Sequence, residues 1–395
     1  MTAALVPAAP QDIAELRQLY FEVYGHGYPV ALGSDPAEMH RLITDPHCHW
    51  LTARRADTGE LAGSAVVQTD RGNRVGKLVG LAVHPRHRQH GLAGRLTAAV
   101  TADALATGAL DSIHTTVRMV TQAPQRVVAR NGYRPLGLLP NAAEVSGCET
   151  LALFACYADG VLERRAPVAA VPRALVPLLE AAGDSIGIPY AAVRPLGPGE
   201  PETAAAHHTK AGHHTKSAHR TTDRTPIEVI TAPGFVRRRF GEVFPDPAGA
   251  YVPLRTPNTV LTPPDGAFEI YADLDPAAGS CALVAVHPCL SAATGALDSL
   301  TAALGRAGAD YVEALVPLSD TAGLHAFLSA GFVPGAAYPA MRRIGDRFHD
   351  HVVLSRTDRQ IDFRTTAVST PLQPYLSAYL TAWTSTYLPR HEVDR

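Results

Sequence analysis

Residues 81–100 read LAVHPRHRQHGLAGRLTAAV, and the fold of the first part of the chain follows from this stretch. Leu81-Ala82-Val83 closes an apolar run that begins at Lys77, and Pro85 stops it because proline has no amide proton to give a ladder. Leu92, Leu96 and Val100 then recur at helical spacing. A strand running into a helix through Arg86-His87-Arg88-Gln89-His90-Gly91-Leu92-Ala93-Gly94 leaves helix-start amides without intrahelical partners. The helix dipole adds partial positive charge there, so the turn is an anion site. Glycine or alanine at Gly91, Ala93 and Gly94 lets a ligand approach the backbone, and Arg86 and Arg88 supply charge-assisted hydrogen bonds to phosphate. A mononucleotide P-loop needs GxxxxGK[ST] and a dinucleotide fold needs GxGxxG near the first strand; the sequence has neither.

Working outward, Ala4-Leu5-Val6 reads as a short strand. Asp12 then caps an amphipathic helix with Ile13, Leu16, Leu19 and Tyr20 on one side, ending near the breakers Gly25 and Gly27. His49–Arg55 and Gly63–Gln68 are strand-like runs joined by Asp57-Thr58-Gly59-Glu60, a hairpin turn, and Lys77–Val83 continues the meander. Beyond the turn come a helix to Ala106, a strand Ser112–Val117, a helix Gln125–Arg130 and a last strand Leu151–Cys156.

The chain has 395 residues, long enough for two domains. Lys+Arg at 35 nearly balances Asp+Glu at 37, which leaves no electrostatic footprint for nucleic acid or an anionic membrane surface. No stretch approaches the roughly 18 consecutive apolar residues of a spanning helix, and the N-terminus lacks a basic region followed by an apolar one, so a cytoplasmic protein is expected. The Ala, Gly, Pro and Arg content points to a GC-rich bacterial genome. Five cysteines without a CxxC pair read as reduced core thiols. His47, Cys48 and His49 point to alternate faces of an extended strand and make no metal site; no metal is expected.

Residues 196–226 are polar, lack periodicity and carry HHTK twice, six residues apart; they read as a His-rich solvated linker. Beyond it, VAVHP at Val284–Pro288 echoes LAVHP at Leu81–Pro85, and AFLSAGFVP at Ala326–Pro334 echoes VVARNGYRP at Val127–Pro135. The strand stop and the Gly-aromatic pair recur in the same order at nearly the same separation, which indicates an internal duplication. After VAVHP the second copy has CLSAATGALDSL, with no arginine and a single glycine where the phosphate turn should be.

Arg88-x-x-Gly91-x-Ala93, between the strand LAVHP and an Ala/Leu helix, resembles the pyrophosphate-binding motif of the GNAT superfamily of acyl-CoA-dependent N-acyltransferases. NGYRPLG resembles that family's helix-end pattern before its last hairpin. The resemblance covers residues 4–157 and implies an α+β fold: tandem mixed sheets flanked by helices, the N-terminal copy complete and the C-terminal copy degenerate and without coenzyme. It implies three units: an acyl-CoA-binding catalytic domain at 1–165, a connecting segment at 166–226 and a degenerate domain at 227–395.

The same resemblance implies acetyl-CoA or another acyl-CoA as co-substrate and a small-molecule amine as acceptor. Acyl delivery by an acyl carrier protein, or decarboxylation of a malonyl thioester, is the alternative chemistry, a non-catalytic acyl-CoA-binding role a further alternative, and a homodimer stays open. The pantetheine arm would run along Lys77–Val83, and a main-chain N–H among Leu81, Ala82 and Val83 would polarise the thioester carbonyl, an effect of about 3 kcal/mol per donor. Gly80 marks a bulge or close approach in that strand. Val128 stands where many members carry a tyrosine acid, and Thr121 where asparagine is frequent. An amine with a pKa of about 10.4 must lose a proton before attack. His114 and the loop-flanking Glu22, Tyr24 and His26 are the catalytic candidates, with Glu144 a further one and Tyr133 read as core.

Overall fold

The computed structural model describes residues 3–25, 31–145, 147–190, 193–197, 200, 225–245 and 252–388. His26 and the HHTK repeats lie outside the described residues.

The first half runs β1 (Ala3–Pro7), α1 (Ile13–Tyr24), α2 (Pro36–Thr44), β2 (Cys48–Arg55), β3 (Leu61–Asp70), β4 (Val75–Val83), α3 (Leu92–Ala106), β5 (Ser112–Arg118), α4 (Ala123–Arg130), β6 (Arg134–Glu144) and β7 (Cys148–Tyr157). Period-2 patterning makes β5: Ile113, Thr115 and Val117 are buried on one face, while His114, Thr116 and Arg118 are half-buried on the other. Period-3.6 patterning makes α3, whose Leu92, Leu96, Val100 and Ala104 form the buried stripe. Two elements were not read from the sequence. α2 starts at a proline capped by the Asp35 carboxylate, and β6 is broken in its pattern by bulges.

Asp12 corrects its expected role. It sits at the start of α1, but a 3-10 turn at Pro10–Asp12 already gives it helical angles. Its carboxylate accepts from the Ala9 amide (2.9 Å) and the Arg54 guanidinium (2.7 Å) instead of capping α1.

A middle segment adds β8 (Ala170–Pro172), α5 (Val176–Ile186) and β9 (Arg194–Leu196). The second half runs β10 (Glu228–Thr231), α6 (Pro233–Val243), β11 (Thr259–Thr262), β12 (Glu269–Asp275), β13 (Ser280–His287), α7 (Leu290–Ala293), α8 (Leu297–Arg306), β14 (Tyr311–Pro317), α9 (Thr321–Ser329), β15 (Val333–Ile344), β16 (Arg347–Thr357) and α10 (Gln373–Tyr387).

One mixed 14-stranded sheet joins the halves in the order β1-β2-β3-β4-β5-β7-β6-β15-β16-β14-β13-β12-β11-β10, with helices packed on it. Read inward from either edge the order is the same, and the irregularities repeat with it. The register shifts at Pro135/Gly137 and Leu139/Ala143 recur at Pro334/Ala336 and Tyr338/Arg342, and the left-handed Asn141 recurs as Ala340. The halves meet where β6 pairs β15 at Gly137 and Ala336. A Cβ on Gly137 would lie 2.3 Å from the Ala336 Cα and the Gly335 carbonyl oxygen, so only glycine lets the strands approach there. α5 and α10 cover this seam: the Tyr375 hydroxyl donates to Pro135 O (2.6 Å) and Ala181 O (3.1 Å).

Candidate functional site

β4 is the strand on which the site is built, and two features prise it open. Its parallel ladder to β5 extends only from Val75–Ser112 to Lys77–His114. Beyond that rung the strands part, and the Thr115 hydroxyl takes up the freed Leu78 carbonyl (2.9 Å). On its other side the register with β3 slips between Ser64 and Val66, opposite Gly80 at φ +61°, so the expected bulge is present.

α1 pins this bulge with two tyrosines one turn apart. The Tyr20 hydroxyl donates to Gly80 O (2.8 Å) and meets Ser64 Oγ (3.1 Å), which also receives Trp50 Nε1 (2.8 Å). The Tyr24 hydroxyl donates to Leu81 O (2.6 Å). Burial raises the Tyr24 phenol above its ordinary value, with Arg118 and Arg88 pulling the other way, so it is a proton donor at neutral pH.

β4 leads into the turn that opened the sequence reading. Pro85–His87 is a 3-10 turn braced by His84, whose Nδ1 accepts the Arg86 amide (3.2 Å). Gln89 and Gly91 are both left-handed, at φ +71° and +69°. For Gly91 this costs nothing; for Gln89 it is stored strain of about 1 kcal/mol. Arg86, Arg88, Gln89, His90 and Gly91 are all exposed, whereas Leu92 is buried in the core and contributes its amide, not its side chain, to the turn. In the second half no residue between Pro288 and Leu304 has positive φ, and a one-turn α7 and a 3-10 turn precede α8.

Behind the bulge a cavity of about 570 Å³ opens, with walls from both halves. The first half contributes Tyr24, Lys77, Val79, His114 and Arg118, and the second Arg255, Glu313, Tyr338 and Met341. Arg118 is clamped by Glu149 through two bonds of 2.6 and 2.5 Å. Arg255 bridges Asp273 (3.2 Å) and Glu313 (2.7 Å). Burial, reinforced by Lys77 and Arg255 and weakly opposed by the Gly76 carbonyl, pushes His114 down to about 3. Burial and then Arg255 push Lys77 down to about 8, with Glu313 and Asp273 opposing.

Residues 12–133 match a family model described as the Acetyltransferase (GNAT) family. These residues form a GNAT acetyltransferase domain. Its general chemistry is acyl transfer from acetyl-CoA to an amine. Similar solved structures include a GNAT-family acetyltransferase from Streptococcus pneumoniae, at 20% identity over 40% of this chain and 100% of that one (TM-score 0.35). The ribosomal-protein-S18-alanine N-acetyltransferase of Escherichia coli is 15% identical over 40% and 94% (TM-score 0.34). A phosphinothricin acetyltransferase of Sinorhizobium meliloti, solved with acetyl-CoA, is 18% identical over 40% and 89% (TM-score 0.36). No curated protein matches the chain.

Of the residues singled out in the GNAT domain, Tyr24 and His114 come together on the cavity. Glu22 does not. It faces the opposite side of α1 and ion-pairs with His84 Nε2 behind the glycine turn; the Gln18 hydrogen bond holds its carboxyl below the ordinary value. Glu144 reaches the cavity mouth and is tied to Arg359 (2.7 Å). Val128 is buried against the cavity, and Tyr133 is core, bonded to Thr101 (2.8 Å). Lys77, Arg118, Arg255, Glu313 and Tyr338 were missed as site residues. The period-2 face shared by Lys77, His114 and Arg118 was the one available signal; the residues from the second half carry none.

Proposed function

We propose that the N-terminal unit, residues 1–165, moves an acetyl or other short acyl group from acyl-CoA to the amine of a small metabolite, and that residues 227–395 are a copy without coenzyme that walls the acceptor cavity. One observation carries this reading: a glycine-hinged helix start feeds a splayed, bulged strand that ends at a cavity.

In this reading the amides from Gln89 to Gly94, with Arg86 and Arg88, hold the diphosphate. The parted edge of β4 receives the pantetheine amides as an added strand would, and a main-chain N–H among Leu81, Ala82 and Val83 polarises the thioester carbonyl. Tyr20 and Tyr24 hold that backbone in its bulged form. The cavity walls exclude water, so that the acyl group meets the acceptor amine and not hydrolysis. Val128 offers no proton to the departing thiol; the Tyr24 phenol, protonated and adjacent, is the nearest donor to Leu81.

Gly91→Glu tests the reading. Gly91 is exposed with open space around a Cβ, so the substitution leaves packing intact while setting a carboxylate at the diphosphate. Its φ of +69° costs any replacement about 1 kcal/mol, and Gly91→Gln, with the same strain and no charge, is the control. Titration calorimetry with acetyl-CoA is expected to show affinity lower by about tenfold or more, from lost helix-start attraction and added repulsion. Unchanged affinity overturns the assignment.

A further inference from the structure

Lys77 and His114 form the last rung of the β4–β5 ladder before the strands part. Side chains directly paired in a sheet project to the same face, and both line the cavity. His114 Nδ1 is buried without a hydrogen-bond partner. The Lys77 ammonium has no hydrogen bond or ion pair among the described residues. The anions that could serve it are spent elsewhere. Glu313 bonds Arg255 (2.7 Å) and receives the Tyr311 hydroxyl (2.9 Å), and Asp273 bonds Arg255 (3.2 Å). The Tyr338 ring lies edge-on to His114, and its hydroxyl is engaged by Ser112 (2.9 Å).

A lysine and an imidazole stand side by side in a largely aliphatic cavity, and the two nearby carboxylates, Asp273 and Glu313, bond to Arg255 and leave both without a hydrogen-bond acceptor among the described side chains. We infer that Lys77 and His114 anchor a carboxylate, and that the acceptor is therefore an amino acid or another amine carrying a carboxylate. The fate of its amine rests on the acyl-transfer reading above; the anchor itself does not. Burial and then Arg255 disfavour the Lys77 charge, and Glu313 and Asp273, bonded to Arg255 instead, offset this only in part for want of a directly bonded counter-ion. A bound carboxylate supplies a close one and accepts hydrogen bonds from the Lys77 ammonium and the His114 ring N–H, neither of which goes to another side chain. Gly80 lies three residues along β4, roughly 10 Å away, which sets the amine toward the bulge and the carboxylate toward the rung.

The test uses the full chain and matched probes: L-amino acids and short ω-amino acids, each against its own carboxamide. Calorimetry without any acyl donor is expected to show an acid binding tighter than its amide by about tenfold or more, the scale of a charge-assisted bond. Lys77→Met, an apolar side chain of similar length, abolishes that preference, and Lys77→Arg retains part of it. With acetyl-CoA present the Lys77→Met loss falls on KM and not on kcat. Amides binding as well as acids, a Lys77→Met protein that still prefers acids, or no acid binding at all overturns the inference. Carboxylate-selective binding lost in Lys77→Met, with no acetyl transfer to any probe, upholds the anchor and removes the acyl-transfer reading. Transfer to amines irrespective of a carboxylate does the reverse.

Discussion

Replacing Gly80 by alanine strikes the joint between fold and site. At φ +61° a residue with a Cβ carries about 1–2 kcal/mol of left-handed strain. That Cβ would lie 2.6 Å from the Tyr20 hydroxyl and 2.9 Å from Leu32 Cδ1, and both side chains are fully buried. The hydroxyl must leave, which removes its bond to Gly80 O, a further cost of about 1 kcal/mol. The expected destabilisation is about 2–3 kcal/mol in urea unfolding followed by circular dichroism. Acetyl-CoA-dependent thiol release falls with it, because β4 relieves the clash by flattening its bulge. The contact with Tyr20 makes the sharper check. In a Tyr20→Phe background the obstructing oxygen is gone, so Gly80→Ala costs about 1 kcal/mol less there than in the wild-type chain. Strict additivity of the two substitutions, or a Gly80→Ala protein within about 0.5 kcal/mol of wild type, would refute the claim that the tyrosine and the left-handed glycine hold the strand open together.

The seam between the halves gives another expectation. Gly137→Ala must push back the Ala336 backbone by about 1 Å, and it costs about 2–3 kcal/mol in urea unfolding; a neutral result means the β6–β15 pairing does not hold the halves together. Stability toward acid follows from two histidines. Burial, with Arg342 beside His351 and Lys77 and Arg255 beside His114, pushes each down to about 3, against about 6.5 when unfolded. Between those values the unfolded chain binds more protons, so stability holds above about pH 6.5 and falls as pH drops toward 3. Each histidine contributes a slope of up to about 1.4 kcal/mol per pH unit, and His351→Leu removes one share; an unchanged slope refutes it. Coenzyme affinity in Gly91→Glu and acid-over-amide preference in Lys77→Met complete the set.

The sequence by itself determined the local grammar of the GNAT domain. Leu81–Val100 announced a strand, a glycine-hinged turn and a helix because proline, glycine and helical spacing act over a few residues, and Gly80 announced the bulge for the same reason. The echo of LAVHP and of the Gly-aromatic pair suggested a repeat, and the strand order reads the same inward from either edge. Tertiary structure alone decided which side chains share the cavity. Glu22 and Tyr24 are two residues apart in the chain, yet a helix turns about 200° over that distance, so one faces His84 and the other Leu81. Lys77 and Arg255 are 178 positions apart and meet only because the sheet closes one half against the other. Periodicity tells which face of a strand is buried; what that face is buried against depends on contacts that no local pattern encodes.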